Sequence, residues 1–140
     1  MQSPCVGFCS TTLGDPICRG CKRSTREVDA WNRMTSEQQA AVWERLWQQL
    51  TTVVPCYLQV LDARQLQQQL EQRGIRHHPK APPEAWALDL LRVGCQHTQD
   101  LTAYGLKPTP RAGGLSPAAL FNCLNRELLA ESQVYNFCPT

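Results

Sequence analysis

The chain has 140 residues, 42% of them hydrophobic, which allows one ordinary domain or a small module fused to a helical one. With 14 basic and 12 acidic residues the net charge is +2, so no global attraction to nucleic acid or to an anionic membrane is expected. No run of about 18 apolar residues occurs, which excludes a transmembrane helix and predicts no membrane association.

The first residues, Met1-Gln2-Ser3-Pro4-Cys5, lack the basic and apolar regions of a signal peptide, so a cytoplasmic location is expected. That expectation governs how eight cysteines are read. In a reducing compartment disulfides are rare, and clustered cysteines more often bind metal or carry redox chemistry. Residues 1–23 hold Cys5, Cys9, Cys18 and Cys21 and almost no apolar periodicity. A segment of that kind cannot bury a core of its own, and metal ligation is one source of order for it.

Residues 24–50 read as two helices. Ser24-Thr25-Arg26-Glu27 is a capping box, with Ser24 as the cap and Glu27 reaching back. A short helix then carries Val28 and Trp31 on one side. Thr35-Ser36-Glu37-Gln38 repeats the signal and opens a longer helix to about Leu50, with Val42, Trp43, Leu46, Trp47 and Leu50 on its apolar face. Core packing is the expected role of these tryptophans. Thr51 to Pro55 interrupts the pattern as a linker or an extended link.

Residues 51–140 predict three or four further helices. Asp62 caps one, with Gln65 at the third position and Leu61 and Leu66 as a hydrophobic staple. Gly74 ends it, with Leu70 and Ile75 in Schellman positions. Arg76 to Pro82 is a loop. Pro83 opens the next helix, whose face carries Trp86, Leu90, Val93, Leu101 and Tyr104 as far as Gly105, with Gly94 as a weak point inside it. After a Pro/Gly loop over 107–114, Ser116-Pro117 begins a last helix with a Leu115–Leu120 staple and Leu120, Leu124 and Leu128 facing inward. No strand pattern stands out. The expected fold class is mostly α: a short four-cysteine metal-binding module with two helices over residues 1–50, followed by a small helical domain over 51–140.

The spacing Cys5-x3-Cys9-x8-Cys18-x2-Cys21 supplies four soft thiolate donors that can surround one ion or one cluster. Gly20 gives backbone freedom for a tight knuckle whose amides point at sulfur, Gly7 does the same between the first pair, and Gly14-Asp15-Pro16 turns the two pairs toward each other. Zinc and an iron–sulfur cluster both suit such a donor set, and the intervals do not decide between them. Arg19, Lys22, Arg23 and Arg26 form a basic run with no acidic residue between Arg19 and Arg26. A solvated face balancing a negatively charged centre is expected there in preference to a phosphate contact. Cys56, Cys95, Cys123 and Cys138 lack ligand spacing and are expected to be buried and inert. His77, His78 and His97 could form a second site only if folding gathers them. No phosphate-binding loop, nucleophile elbow or zinc-protease motif occurs, and no carboxylate pair has a catalytic pattern.

The run Ser3-Pro4-Cys5-Val6-Gly7-Phe8-Cys9, then Cys18-Arg19-Gly20-Cys21-Lys22-Arg23-Ser24, then Glu27, Trp31, Met34 and Trp43-Glu44-Arg45-Leu46, resembles the bacterial domain of unknown function 1289, a family often labelled a predicted Fe–S protein. The resemblance covers about residues 3–50 and implies a cluster-binding module on Cys5, Cys9, Cys18 and Cys21. The expected function is that of a small metal-binding accessory protein, not itself an enzyme, whose helical surface engages a protein partner. Electron transfer or dithiol exchange at Cys18 and Cys21 is the first alternative, and a zinc-ribbon-like nucleic-acid binder the second.

Overall fold

A computed structural model describes residues 2–7, 9–96 and 100–137, with the backbone alone for 135–137. Its elements are mostly helical: α1 (Thr25–Ala30), α2 (Ser36–Val53), α3 (Ala63–Gln72), α4 (Pro83–Gly94) and α5 (Pro117–Phe137). Short 3-10 turns and two three-residue strands, β1 (Leu58–Val60) and β2 (Leu106–Pro108), complete it. No described helix is long and apolar enough to cross a membrane.

The chain divides into two units, with boundaries inside α2 and α5. Met1–Gln49 and Asn125–Thr140 form the first, Leu50–Leu124 the second. In the first unit the expected helix signals act as read. Ser24 Oγ accepts the Glu27 N–H while Glu27 Oε1 accepts the Ser24 N–H at 2.9 Å, which satisfies both donors at the start of α1. Thr35 and Gln38 repeat the exchange before α2. Trp31, Val42 and Leu46 make a small buried cluster, with Met34 and Trp43 packed against it. Gln39 Nε2 donates to the Trp31 carbonyl at 2.8 Å and fixes the turn between α1 and α2. In α5, Leu128 is buried, and Ser132 Oγ donates to Gln49 Oε1 at 3.0 Å.

The second unit holds α3 and α4 side by side, with α4 also against β1. Leu66, Leu70, Leu90, Leu91 and Leu106 are wholly buried there. Asp62 caps α3 by accepting the Gln65 N–H at 3.1 Å, and the Ile75 N–H returns to the Leu70 carbonyl at 2.9 Å past Gly74. Several expectations fail. The helix from Pro83 stops at Gly94, and Leu101–Tyr104 is a separate 3-10 turn capped by Asp100, so Val93 is exposed. The described strands β1 and β2 also pair antiparallel, with Gln59 opposite Lys107. Three-residue strands are too short to print an alternating pattern in sequence. Leu61 and Leu115 of the expected staples are exposed at 59% and 44%, so those caps rest on their polar contacts.

Gly105 joins these parts. Its carbonyl accepts the Leu61 N–H at 2.7 Å and the Asp62 N–H at 3.2 Å, and its φ is +73°. A Cβ there would lie 2.6 Å from the Asp62 carbonyl oxygen, whereas at Gly74, with φ +65°, it would meet nothing within 4 Å. Gly74→Ala is therefore expected to cost only the left-handed backbone penalty of about 1 kcal/mol. Gly105→Ala should cost clearly more, measured by denaturant unfolding. Equal losses would show that Asp62 moves aside freely.

Candidate metal centre

The site is built on a hairpin of backbone hydrogen bonds. Ile17 and Ser24 form an antiparallel bridge. Inside it the Cys18 N–H donates to the Arg23 carbonyl at 2.8 Å, and the Lys22 N–H donates to the Cys18 carbonyl at 2.9 Å. The four residues between Cys18 and Arg23 must therefore turn tightly. The residue that takes the left-handed conformation is Lys22, with φ 70°, and not Gly20. That conformation disfavours a side chain by about 1–2 kcal/mol, and the Lys22 ammonium secures it. Nζ donates to the carbonyls of Arg19 at 2.6 Å and Gly20 at 2.9 Å, and to Asn125 Oδ1 at 3.0 Å on α5 within the same unit.

The turn aims its amides at one sulfur. The N–H groups of Cys21, Ser10 and Gly20 all donate to Cys18 Sγ, and the Cys21 side chain adds another contact. Burial alone would push the Cys18 thiol up, but these donors outweigh it and bring the value down from 9.0 to about 7. Cys21 behaves in the opposite way. Burial pushes its thiol up, against the Arg23 side chain and backbone N–H, which both favour the thiolate. Arg23 Nε lies 3.2 Å from Cys21 Sγ, and the guanidinium sits over the Trp31 ring at 5.1 Å.

The segment after Cys9 reaches the knuckle through Ser10. A 3-10 turn over Ser10–Leu13 follows Cys9, closed by Gly14 at φ 96°, and Ser10 Oγ accepts the Arg19 N–H at 2.8 Å. Cys9 Sγ is 2.8 Å from Thr11 Oγ1, and the Cys5 N–H donates to Ser3 Oγ at 3.2 Å. The N-terminal strand of chain is tied to α2 where Trp43 Nε1 donates to the Gln2 carbonyl at 2.8 Å. The structure thus brings Cys18 and Cys21 together and places Ser10 against them. Among the described residues, no three His, Cys, Asp or Glu side chains are close enough together to hold a metal ion. Amide donors converge on Cys18 and an arginine faces Cys21, contacts that favour sulfurs carrying negative charge.

Beneath the knuckle, Glu27 serves two partners. Its Oε1 accepts the Ser24 N–H and also pairs with Arg45 Nη2 at 2.6 Å, with both side chains mostly buried. Local sequence shows the capping box but not Arg45, because α2 delivers that partner from 18 positions further along the chain.

The basic run is not a solvated face. Lys22 and Arg23 are 5% and 4% exposed, committed to carbonyls and to sulfur, and only Arg19 and Arg26 face solvent. Arg19 pairs with Asp15 at 3.2 Å. Nor are the described scattered cysteines buried. Cys56 is exposed at the end of a 3-10 turn, Cys95 and Cys123 are half-buried, and Cys138 lies outside the described residues, as does His97. His77 and His78 sit in the loop before α4. His77 Nδ1 is 3.0 Å from the Ile75 carbonyl, and His78 Nδ1 accepts the Lys80 N–H at 3.1 Å, so both are spent on loop structure.

Residues 3–50 match the family described as "Protein of unknown function (DUF1289)". No curated protein and no solved structure matches the chain.

Two measurements check these contacts. Glu27→Ala removes the acceptor of both Ser24 and Arg45 and leaves a largely buried guanidinium without its carboxylate. A loss of about 3 kcal/mol or more is expected in denaturant unfolding, and a loss below about 0.5 kcal/mol would place the pair among ordinary surface bridges. In the second unit, burial raises the Asp89 carboxyl despite Arg92 at 2.7 Å and the charges of His77 and Arg76. A carboxylate raised above its unfolded value destabilises the fold above its folded value, and the effect vanishes below the unfolded one. Asp89→Asn should therefore be at least as stable as the parent at pH 7, an advantage that shrinks toward pH 4. Melting temperatures lower at pH 7 would show that the Arg92 bond outweighs burial.

Proposed function

We propose that residues 1–24 are a metal-binding module in which Cys5, Cys9, Cys18 and Cys21 hold one centre, and that the protein acts as an accessory factor presenting this centre to a protein partner. The observation that carries this role is the amide cage of Cys18. Three backbone N–H groups donate to one buried sulfur, with its neighbour Cys21 in contact and Arg23 beyond. Thiols packed for their own sake do not need such donors, whereas thiolate ligands do. The match of residues 3–50 to a cysteine-bearing family of unknown function is consistent with a metal-binding role. A bound zinc ion would supply a structural clip, and a cluster would supply electron transfer or sensing. The chain's own residues fold the hairpin, aim the amides and place Arg23 at the sulfur. An iron–sulfur cluster is the centre we assign first, with zinc as the alternative.

One observation favours a second role. A Cys18 thiol brought to about 7 beside Cys21 is suited to dithiol exchange. The two thiols would give up two protons and two electrons to an external disulfide, forming the Cys18–Cys21 bond and releasing two thiols. Binding of nucleic acid through Lys22 and Arg23 has no support, since neither faces solvent.

The deciding measurement is metal and acid-labile sulfide content, with a visible spectrum, on protein purified without oxygen. Iron with sulfide and a brown absorbance is expected, and one colourless zinc per chain would establish the alternative. Cys18→Ser should abolish the content and disorder the first 30 residues or so while most helicity by circular dichroism remains, and Cys56→Ser should change neither. A metal-free parent whose Cys18 and Cys21 cycle with a small disulfide would leave the dithiol role standing and remove the metal-binding one.

A further inference from the structure

We propose that Cys18 and Cys21 by themselves form a two-sulfur site for one soft monovalent metal ion of the copper(I) class. This reading stands apart from the four-cysteine centre, because it uses only the two sulfurs that the structure gathers. Cys18 and Cys21 are 1% and 8% exposed, and their side chains are in contact. Among the described residues, no group of three His, Cys, Asp or Glu side chains forms around them to hold a metal ion. Cys9, the next cysteine toward the N-terminus, has its Sγ 2.8 Å from Thr11 Oγ1. A structural zinc ion takes four ligands and a cluster takes four thiolates, so two sulfurs suffice for neither. Soft thiolates select copper(I), whose filled d shell is satisfied by two donors in line.

The surroundings of the pair select its charge. The N–H groups of Ser10, Gly20 and Cys21 donate to Cys18 Sγ. Arg23 Nε donates to Cys21 Sγ at 3.2 Å, and its backbone N–H reaches the same sulfur. Arg23 is 4% exposed, so its positive charge needs an anion beside it. Two neutral thiols are weak acceptors and meet that need poorly. A Cys18–Cys21 disulfide carries no charge and leaves the amides and the guanidinium without an anion. Two bare thiolates side by side repel each other in a buried place. Two thiolates around one monovalent ion keep a single negative charge, which one guanidinium balances. A divalent ion would cancel that charge and leave Arg23 unbalanced. Lys22 takes no part, since its ammonium is directed at the carbonyls of Arg19 and Gly20 and at Asn125. Loading displaces the thiol protons to solvent and oxidises nothing.

The test uses the full chain, reduced, stripped of metal and kept from oxygen. Copper(I) is supplied on a chromophoric chelator, and uptake is read as loss of the chelator's colour. The parent should withdraw one ion per chain. The double variant Cys5→Ser/Cys9→Ser should withdraw as much, and so should Cys56→Ser. Cys18→Ser and Cys21→Ser should each withdraw none, with circular dichroism recorded alongside. X-ray absorption at the copper edge of the loaded parent gives a reading that needs no variant, and two sulfurs in line are expected at the metal. A parent that leaves all the copper with the chelator would overturn the proposal. Loss of uptake in the Cys5/Cys9 variant, or three or more sulfurs at the metal, would overturn it in favour of a larger centre. Uptake of several ions that survives Cys18→Ser would overturn it as adventitious binding to thiols. The four-cysteine centre fails separately, when iron or zinc content as purified does not depend on Cys5 and Cys9.

Discussion

The order of the N-terminal segment depends on closing the hairpin between Cys18 and Arg23. The first 24 residues have too little apolar surface to collapse, so their order must come from directed contacts. Two backbone bonds across the turn, from Cys18 to Arg23 and from Lys22 to Cys18, fix the conformation of the intervening residues. Once closed, the turn presents the Gly20 and Cys21 amides to Cys18 sulfur and places Lys22 where its ammonium can bind the carbonyls that the same turn exposes. The left-handed backbone at Lys22 is tolerable because the side chain responsible for the penalty is also the one that is anchored.

The hairpin reaches the helices through a few residues with double duties. Ser24 ends the hairpin bridge and caps α1. Glu27 answers Ser24 and holds Arg45 of α2. Trp31 is both the base under Arg23 and a member of the buried cluster with Val42 and Leu46. A disturbance at the sulfurs therefore has a short route to the core, through Arg23 to Trp31. The residues concerned, Glu27, Trp31 and Arg45, are among those that carry the resemblance beyond the cysteines, and their contacts give a structural reason for their presence.

Much of this was legible in sequence where the signal is local. Both capping boxes, the Asp62 cap, the Leu70–Ile75 closure past Gly74 and the inward leucines of α5 are all contacts within about six positions, and such contacts leave a spacing behind. A knuckle with amides turned toward sulfur was likewise expected, though with Gly20 and not Lys22 supplying the backbone freedom. What escaped was of three kinds. The pairing of β1 with β2 joins segments too short to show alternation. The burial of Lys22 and Arg23 depends on Trp31 and Asn125, and a charged run reads as solvated until its partners are known. The break in the helix after Gly94 has only the weak helix preference of glycine to mark it. The assignment of residues 125–140 to the first unit falls in the same class, since contacts such as Lys22 with Asn125 and Ser132 with Gln49 have no linear signature.

The two buried cations bear on what the sulfurs are for. Burying an ammonium or a guanidinium is costly unless its hydrogen-bonding capacity and charge are both met. Lys22 is met by two carbonyls and an amide oxygen, dipoles gathered in the fold itself. Arg23 is met by an aromatic face and a sulfur. A neutral thiol is a weak acceptor and balances little of a guanidinium's charge, while a thiolate is an anion and balances it well. Arg23 therefore favours the ionised form of Cys21. Burial by itself drives Cys21 the other way, toward the neutral thiol.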